Sequence, residues 1–375
     1  MSMNECHSAA AILSRLLVDR VKHCRPRKES IKKTSPISML PTELLIEIFT
    51  HVFWESCDES SRECEPPGLS APTYATAFDP HSPSLFPYNA ASVCSRWKDV
   101  ICSSSFPSFW TRIVVVVGIT MPELIQEMLS WSGNLIIGIA VIQDSSPFSA
   151  QAEVEDITRG VVPHIKRLEG LRYSLSRSSD LAVARKTLRG KARRLVYFHM
   201  GYEEDDGDGD RGQEQEVLFD ASGEEVGKGW KLITHVVQCL SVDNYSFKPA
   251  CYPKSDGFHD LLRLRSLSLS WPRPRDEQSS VGCVTGDKRA GRIHFREFLA
   301  VLQETFMLLR LTVRNEQFDG LDESSLMTCY LPLLQSVTLD CVSKVFRDRF
   351  RLAIDADPHS FVVTHLLDFP AKQTN

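Results

Sequence analysis

The stretch LRSLSL, residues 264–269, decides the fold, because its apolar residues stand at the first, fourth and sixth positions. Leu267 and Leu269 alternate with polar residues, as residues do in a strand that is buried on one face only. Repeated strand units with helical segments between them are typical of a solenoid. The same spacing recurs at 168–173, 308–313 and 334–339, and in a weaker form at 192–197 and 237–242.

The spacing of these units predicts two surface insertions. Their central apolar positions are 171, 195, 240, 267, 311 and 337, with gaps of 24, 45, 27, 44 and 26 residues. The two long gaps are close to twice a short one. One contains the acidic tract 203–225, and the other contains 272–292, which is rich in Pro, Gly, Arg and Lys. A helix over 295–307 is predicted to cover the back of the strands.

The N-terminal part has a different, helical pattern. Residues 1–36 predict a helix followed by a basic linker, for which a nuclear-import signal is the alternative reading. Leu40-Pro41 then opens a helix, since proline suits a first helical position. Its apolar side chains form one predicted stripe at Leu44, Leu45, Ile48, Phe49 and Val52.

The next segments complete this part of the chain. Residues 55–87 have the proline- and serine-rich composition of a long loop. A second helix is predicted from about Tyr88 to Cys102, with Val93 and Trp97 on one face. The β-branched run Ile113–Val117 predicts a buried strand.

Together these motifs resemble the F-box family over residues 37–113. The strings that carry the resemblance are Leu40-Pro41-x-Glu43-Leu44-Leu45-x-x-Ile48-Phe49, Val93-Cys94-x-x-Trp97 and Trp110-x-x-Ile113. The connector 55–87 is longer than the family pattern. The resemblance implies docking onto a Skp-type adaptor, which links an F-box protein to a cullin–RING ubiquitin ligase. Residues 114–375 resemble the leucine-rich-repeat-like region often found behind an F-box.

The expected architecture is therefore α/β: a small N-terminal helical F-box followed by an irregular leucine-rich-repeat-like α/β solenoid. The alternative for the second part is an irregular α/β domain with coincidental leucines. A helical unit this small cannot bury all its large apolar side chains by itself, so a partner is expected to cover some of them. The residues predicted to bind the adaptor are Leu40, Pro41, Leu44, Leu45, Ile48, Val93 and Trp97. The target protein is expected on the strand face, with Arg265, Ser268, Arg310 and Thr338 as candidates.

Composition excludes several other functions. A formal charge of -5 argues against a nucleic-acid binder, and the longest apolar run, 113–119, is too short to span a bilayer. No secretion signal is recognisable, so a cytoplasmic or nuclear protein is expected. The eleven cysteines contain no C-x-x-C pair and predict reduced thiols.

No motif of catalysis or of cofactor binding stands out. Gly207-x-Gly209-x-x-Gly212 lies within an acidic tract that would repel a pyrophosphate, and the same tract lacks the glycine and glutamate of a calcium loop. The sequence predicts a non-enzymatic adaptor without cofactor or metal. An F-box scaffold that works outside a ubiquitin ligase is the alternative, and an unrecognised enzyme in the second part is the third.

Overall fold

A computed structural model describes most of the two predicted parts. The described residues are 39–62, 86–103, 105–143, 150–204, 232–233, 237–243, 247, 263–271, 293–316, 318–321, 327–355 and 362–365. The chain divides into two compact units, residues 1–145 and 146–375. Both contain helices and parallel strands, which confirms the α/β class. The predicted domain bounds 1–36, 37–113 and 114–375 stay a prediction.

The first unit combines three helices with a β-α-β segment. Its strands β1 and β2 are parallel, with Val115 opposite Val141. The predicted strand at 113–117 is confirmed within a residue. The elements are α1 (Thr42–Arg62), α2 (Tyr88–Ala91), α3 (Ser95–Ile101), a 3-10 turn (Pro107–Trp110), β1 (Arg112–Val117), α4 (Pro122–Trp131) and β2 (Ile137–Gln143).

Aromatic side chains form the core of this unit. Phe86 packs against Phe109 with ring centroids 5.2 Å apart, and Phe53 lies 5.8 Å from the same ring. Trp110 is buried, and its indole N–H donates to the carbonyl of Ile101 at 3.0 Å. That bond satisfies the one polar atom of the indole, as burial of a tryptophan requires.

Two predictions about the extent of helices in this unit were wrong. The helix expected over 88–102 is broken at Ser92–Cys94, where Cys94 is fully extended and directly precedes α3. The break lets Tyr88 pack on Trp110 at 5.6 Å and accept a hydrogen bond from the Val114 amide at 2.9 Å. The segment 55–87 was expected to be a loop, but α1 continues to Arg62. Residues 63–85 lie outside the described part of the chain, as do 1–36.

The second unit alternates helices and strands. Its helices are α5 (Gln151–Val161), α6 (Ser178–Thr187), α7 (Phe295–Glu304) and α8 (Lys344–Ala353), with a 3-10 helix at Val162–Arg167. Its longer strands are β3 (Leu168–Arg177), β5 (Tyr197–Glu204), β7 (Cys239–Asp243), β8 (Ser266–Ser270), β10 (Arg310–Arg314), β13 (Ser336–Asp340) and β15 (Val362–His365). Two-residue strands complete it: β4 (Gly190–Lys191), β6 (Leu232–Ile233), β9 (Ile293–His294), β11 (Phe318–Asp319), β12 (Cys329–Tyr330) and β14 (Ile354–Asp355).

The longer strands of the second unit form a parallel sheet in chain order. The order is β3-β5-β7-β8-β10-β13-β15, and each strand pairs with its neighbours in parallel. One row of the sheet joins Leu171, Phe198, Leu240, Leu267, Leu311, Val337 and Val363, which are 27, 42, 27, 44, 26 and 26 residues apart. Both long gaps separate strands that are hydrogen-bonded neighbours. No further strand of this sheet therefore lies between the two strands on either side of each long gap.

One predicted strand unit was three residues out of register. The sequence pattern placed the second unit at 192–197, centred on Leu195. In the sheet Phe198 is opposite Leu171, so the unit is Leu195-x-x-Phe198-x-Met200. All three of these side chains are buried, whereas Tyr197 is only half-buried. Burial, which the letters alone do not reveal, fixes the register here.

Helices pack on the side of the sheet where the apolar rows point. α7 ends at Glu304, three residues before the predicted end. Its Phe295 lies 5.7 Å from Phe346 of α8, and Phe318 stacks on Phe346 at 5.0 Å. The predicted insertion 272–292, and 203–225 beyond Glu204, lie outside the described residues. In the described part of the chain, no helix has both the length and the apolar composition of a membrane span.

Candidate protein-interaction surfaces

Helix α1 has two distinct apolar faces, although the sequence suggested one stripe. Leu45, Phe49 and Phe53 are buried in the core of the first unit. Leu44 and Ile48 stand one position earlier in each turn and are 46% and 42% exposed. Because successive residues are rotated by about 100° around a helix, the second pair lies beside the buried face and faces solvent.

The second apolar contribution comes from the start of α3. Phe49 packs edge-on against Trp97, with ring centroids 4.9 Å apart, so the two helices meet as the sequence predicted. The guanidinium of Arg96 donates to the carbonyl oxygen of Leu40 and, at 3.4 Å, to the hydroxyl of Thr42. These bonds connect the beginnings of the two helices. Val93, directly before α3, is 48% exposed.

The predicted adaptor-binding residues fall into three groups. Pro41, Leu44, Ile48 and Val93 are exposed, and we call these four the helix-pair surface. Leu40 and Trp97 are half-buried at its border. Leu45 is fully buried and presents no accessible surface to a partner in this conformation.

Two further exposed apolar residues lie near this surface. Met39 is 72% exposed and Trp54 is 61% exposed. Neither residue belongs to the strings that resemble an F-box. Trp54 stands near the start of the segment that the composition assigned to a loop, so its place on α1 was not foreseen. The continued helical period of Phe49, Phe53 and Trp54 is the signal that could have found it.

The second candidate surface is the open face of the sheet in the second unit. A row of half-buried polar side chains crosses six neighbouring strands on this face. Ser268 and Thr338, two of the predicted target-binding residues, both belong to it. The row consists of Arg172, His199, Ser241, Ser268, Thr312 and Thr338.

His199, near the beginning of this row, contacts the hydroxyl groups of two serines. Its Nδ1 is 2.8 Å from the Ser241 hydroxyl, and its Nε2 is 3.3 Å from the Ser174 hydroxyl. Burial, with the nearby positive charges of Arg172 and Arg314, lowers the pKa of His199 to about 3. The imidazole is therefore neutral near pH 7, and it can donate to one hydroxyl and accept from the other.

The remaining predicted target-binding residues lie near the edge of this row. Arg310 is opposite Ser266, one step along the same face. Arg265 precedes β8, and its carbonyl accepts from the Leu309 and Arg310 amides at 2.8 and 3.0 Å. Arg314 lies 3.8 Å from the carboxylate of Asp340. The row mixes hydroxyls, a neutral imidazole and one guanidinium, and the Arg314–Asp340 pair beside it adds charges of both signs, which suits hydrogen bonding to a polypeptide rather than one charged ligand.

Potential metal ligands and two thiols of the described residues bear on metal binding and on nucleophilic chemistry. Within the described ranges, no three His, Cys, Asp or Glu side chains are grouped as they would be to hold a metal ion. Burial raises the pKa of the Cys102 thiol to about 11 and that of Cys329 to about 12, so both are protonated and poorly nucleophilic. Comparison of the chain with protein-family models, curated proteins and solved structures found no match.

Proposed function

We propose that this chain is the substrate-recognition subunit of a Skp–cullin–F-box ubiquitin ligase, and not an enzyme itself. Its helix-pair surface binds a Skp-type adaptor, and the polar row of the sheet binds a target protein. A cullin is recruited through the adaptor. The second unit is a leucine-rich-repeat-like solenoid in this proposal, because its strands run in chain order at a repeated offset.

One observation carries the first half of the proposal. Leu44, Ile48 and Val93 belong to the strings that resemble an F-box, and they remain exposed, although Leu45 and Phe49, the residues directly after the first two, are buried. Large apolar side chains that face solvent do not contribute to the packing of the chain's own core. Such side chains, clustered on a helix face, are typical anchors of a protein interface.

Adaptor binding tests this half directly. The full chain with Leu44→Ala and Ile48→Ala should lose co-purification with a Skp-type adaptor, because each alanine removes an anchor worth about 1–2 kcal/mol or more. Leu135→Ala with Ile136→Ala is the matched control, since both residues are about equally exposed elsewhere in the first unit. Undiminished adaptor binding by the first variant would refute the assignment.

The strand face requires a separate experiment. Ser268→Arg places a bulky charge in the middle of the polar row and should remove target proteins from a proximity-labelling profile while adaptor binding persists. Gln303→Arg adds the same side chain to the exposed side of α7 and serves as control. If both variants label the same proteins as the wild type, the polar row is not the target site.

The proposed ligase and the alternative scaffold differ in one partner. A ligase subunit brings down a cullin together with the adaptor, whereas an F-box scaffold brings down the adaptor alone. Quantitative mass spectrometry of the purified complex therefore separates the two functions.

A further inference from the structure

The start of α1 has few side chains that hold it in place. Pro41 and Leu44 are exposed, and Leu45 is the first fully buried side chain of the helix. The Pro41 carbonyl accepts from the Leu45 amide at 3.2 Å, which closes the first turn but does not fix its direction. Within the described residues, the first turn of α1 needs a hydrogen bond or contact with another element if its apolar side chains are to keep a fixed position.

Arg96 supplies such hydrogen bonds. One nitrogen of its guanidinium, Nη2, donates to both the Leu40 carbonyl and the Thr42 hydroxyl, which stand 56 and 54 residues earlier in the chain. A guanidinium keeps its charge and holds its donors in a rigid plane, so a bond from it to a carbonyl is strong and directional. Arg96 itself is fixed by α3, whose next residue, Trp97, packs on Phe49.

We infer that Arg96 is a positioning residue of the helix-pair surface: it fixes the start of α1 against α3 and so fixes the position of Pro41 and Leu44 relative to Val93. The inference rests on the proposed function, since it assigns Arg96 a role in adaptor binding without contact with the adaptor. A partner that binds only one arrangement of a surface loses affinity in proportion to the fraction of molecules that adopt it.

The test measures adaptor binding by full-length variants. Arg96→Ala should raise the Kd about tenfold, as expected if about a tenth of the molecules keep the competent arrangement. Arg96→Lys retains the charge and a donor, and should stay within about threefold of the wild type. Lys98→Ala removes a cation from the exposed side of the same helix and should leave the Kd unchanged.

Hydrogen exchange separates positioning from general stability. In Arg96→Ala, amides of residues 43–46 should exchange faster while those of 97–101 keep their wild-type rates. Faster exchange throughout both helices would overturn the inference, because Arg96 would then only stabilise the unit. Wild-type affinity of Arg96→Ala would also overturn it, provided that Leu44→Ala with Ile48→Ala still abolishes binding. If that double variant binds normally, the proposed function fails and not this inference alone.

Discussion

Adjacent leucines on α1 offer the sharpest test of how the first unit divides core from interface. Leu45 has no accessible surface, so Leu45→Ala loses the transfer free energy of its side chain and leaves a cavity. The expected loss in the free energy of unfolding is about 2–5 kcal/mol. Leu44 is nearly half exposed, and alanine has the higher helix propensity, so Leu44→Ala should cost no more than about 1 kcal/mol.

Urea unfolding followed by tryptophan fluorescence measures both variants, because Trp97, Trp110 and Trp131 all belong to the first unit. With a slope of about 1–3 kcal/mol per molar, Leu45→Ala should lower the midpoint by roughly 1 M or more. Adaptor affinity should show the reverse order for molecules that are folded, with Leu44→Ala the weaker binder. Equal destabilisation by the two variants would refute the reasoning, since the two leucines would then share one environment.

Three other expectations concern the second unit. His199 has a lowered pKa, so its neutral form stabilises the fold above its unfolded pKa near 6.5, and that contribution is lost as the pH falls toward 3. His199→Gln should therefore flatten the pH dependence of the unfolding midpoint over that range. An unchanged slope would contradict the lowered pKa of His199. Ser343→Ala should lower the free energy of unfolding by about 1–2 kcal/mol, measured by thermal unfolding. The Ser343 hydroxyl caps α8 by accepting from the Phe346 amide, and it also donates to the buried Glu316 carboxylate. Ser343→Thr keeps a hydroxyl and is the control. Gly201→Ala should lower the unfolding midpoint of the protein, since a Cβ there would stand 3.1 Å from His199 Nε2 and disturb its bond to Ser174. An unfolding midpoint equal to that of the wild type would show that the imidazole ring moves without cost.

The repeated strands were predictable because their signal is periodic. Five of the six units with the leucine spacing coincide with strands of the sheet. The sixth failed at Ala192-x-x-Leu195-x-Tyr197, where two equally plausible registers differ by three residues, and only packing selects Phe198 for the interior. The strand Val362–His365 was missed altogether, because four residues are too few for a period to show.

The helix-pair surface was predictable in its residues but not in its geometry. Leucines at 44 and 45 look alike in the sequence, and the choice of which one is buried depends on which face of α1 packs against Phe86, here the face of Phe49 and Phe53. Arg96 also escaped notice, since a side chain that reaches a carbonyl 56 residues away leaves no local pattern. Polar contacts between distant segments are decided by tertiary packing, which propensity and periodicity do not encode.

The insertions bear on whether the strand face is a single binding surface. If each long gap had contained an additional strand, the polar row would be interrupted between His199 and Ser241 and again between Ser268 and Thr312. Instead these residues are direct partners across hydrogen-bonded neighbours. A chain can add residues to a connection at little cost in loop entropy, because that cost grows only with the logarithm of the length. The long connections therefore leave the row from Arg172 to Thr338 continuous, so the proposed target site is one surface across six strands.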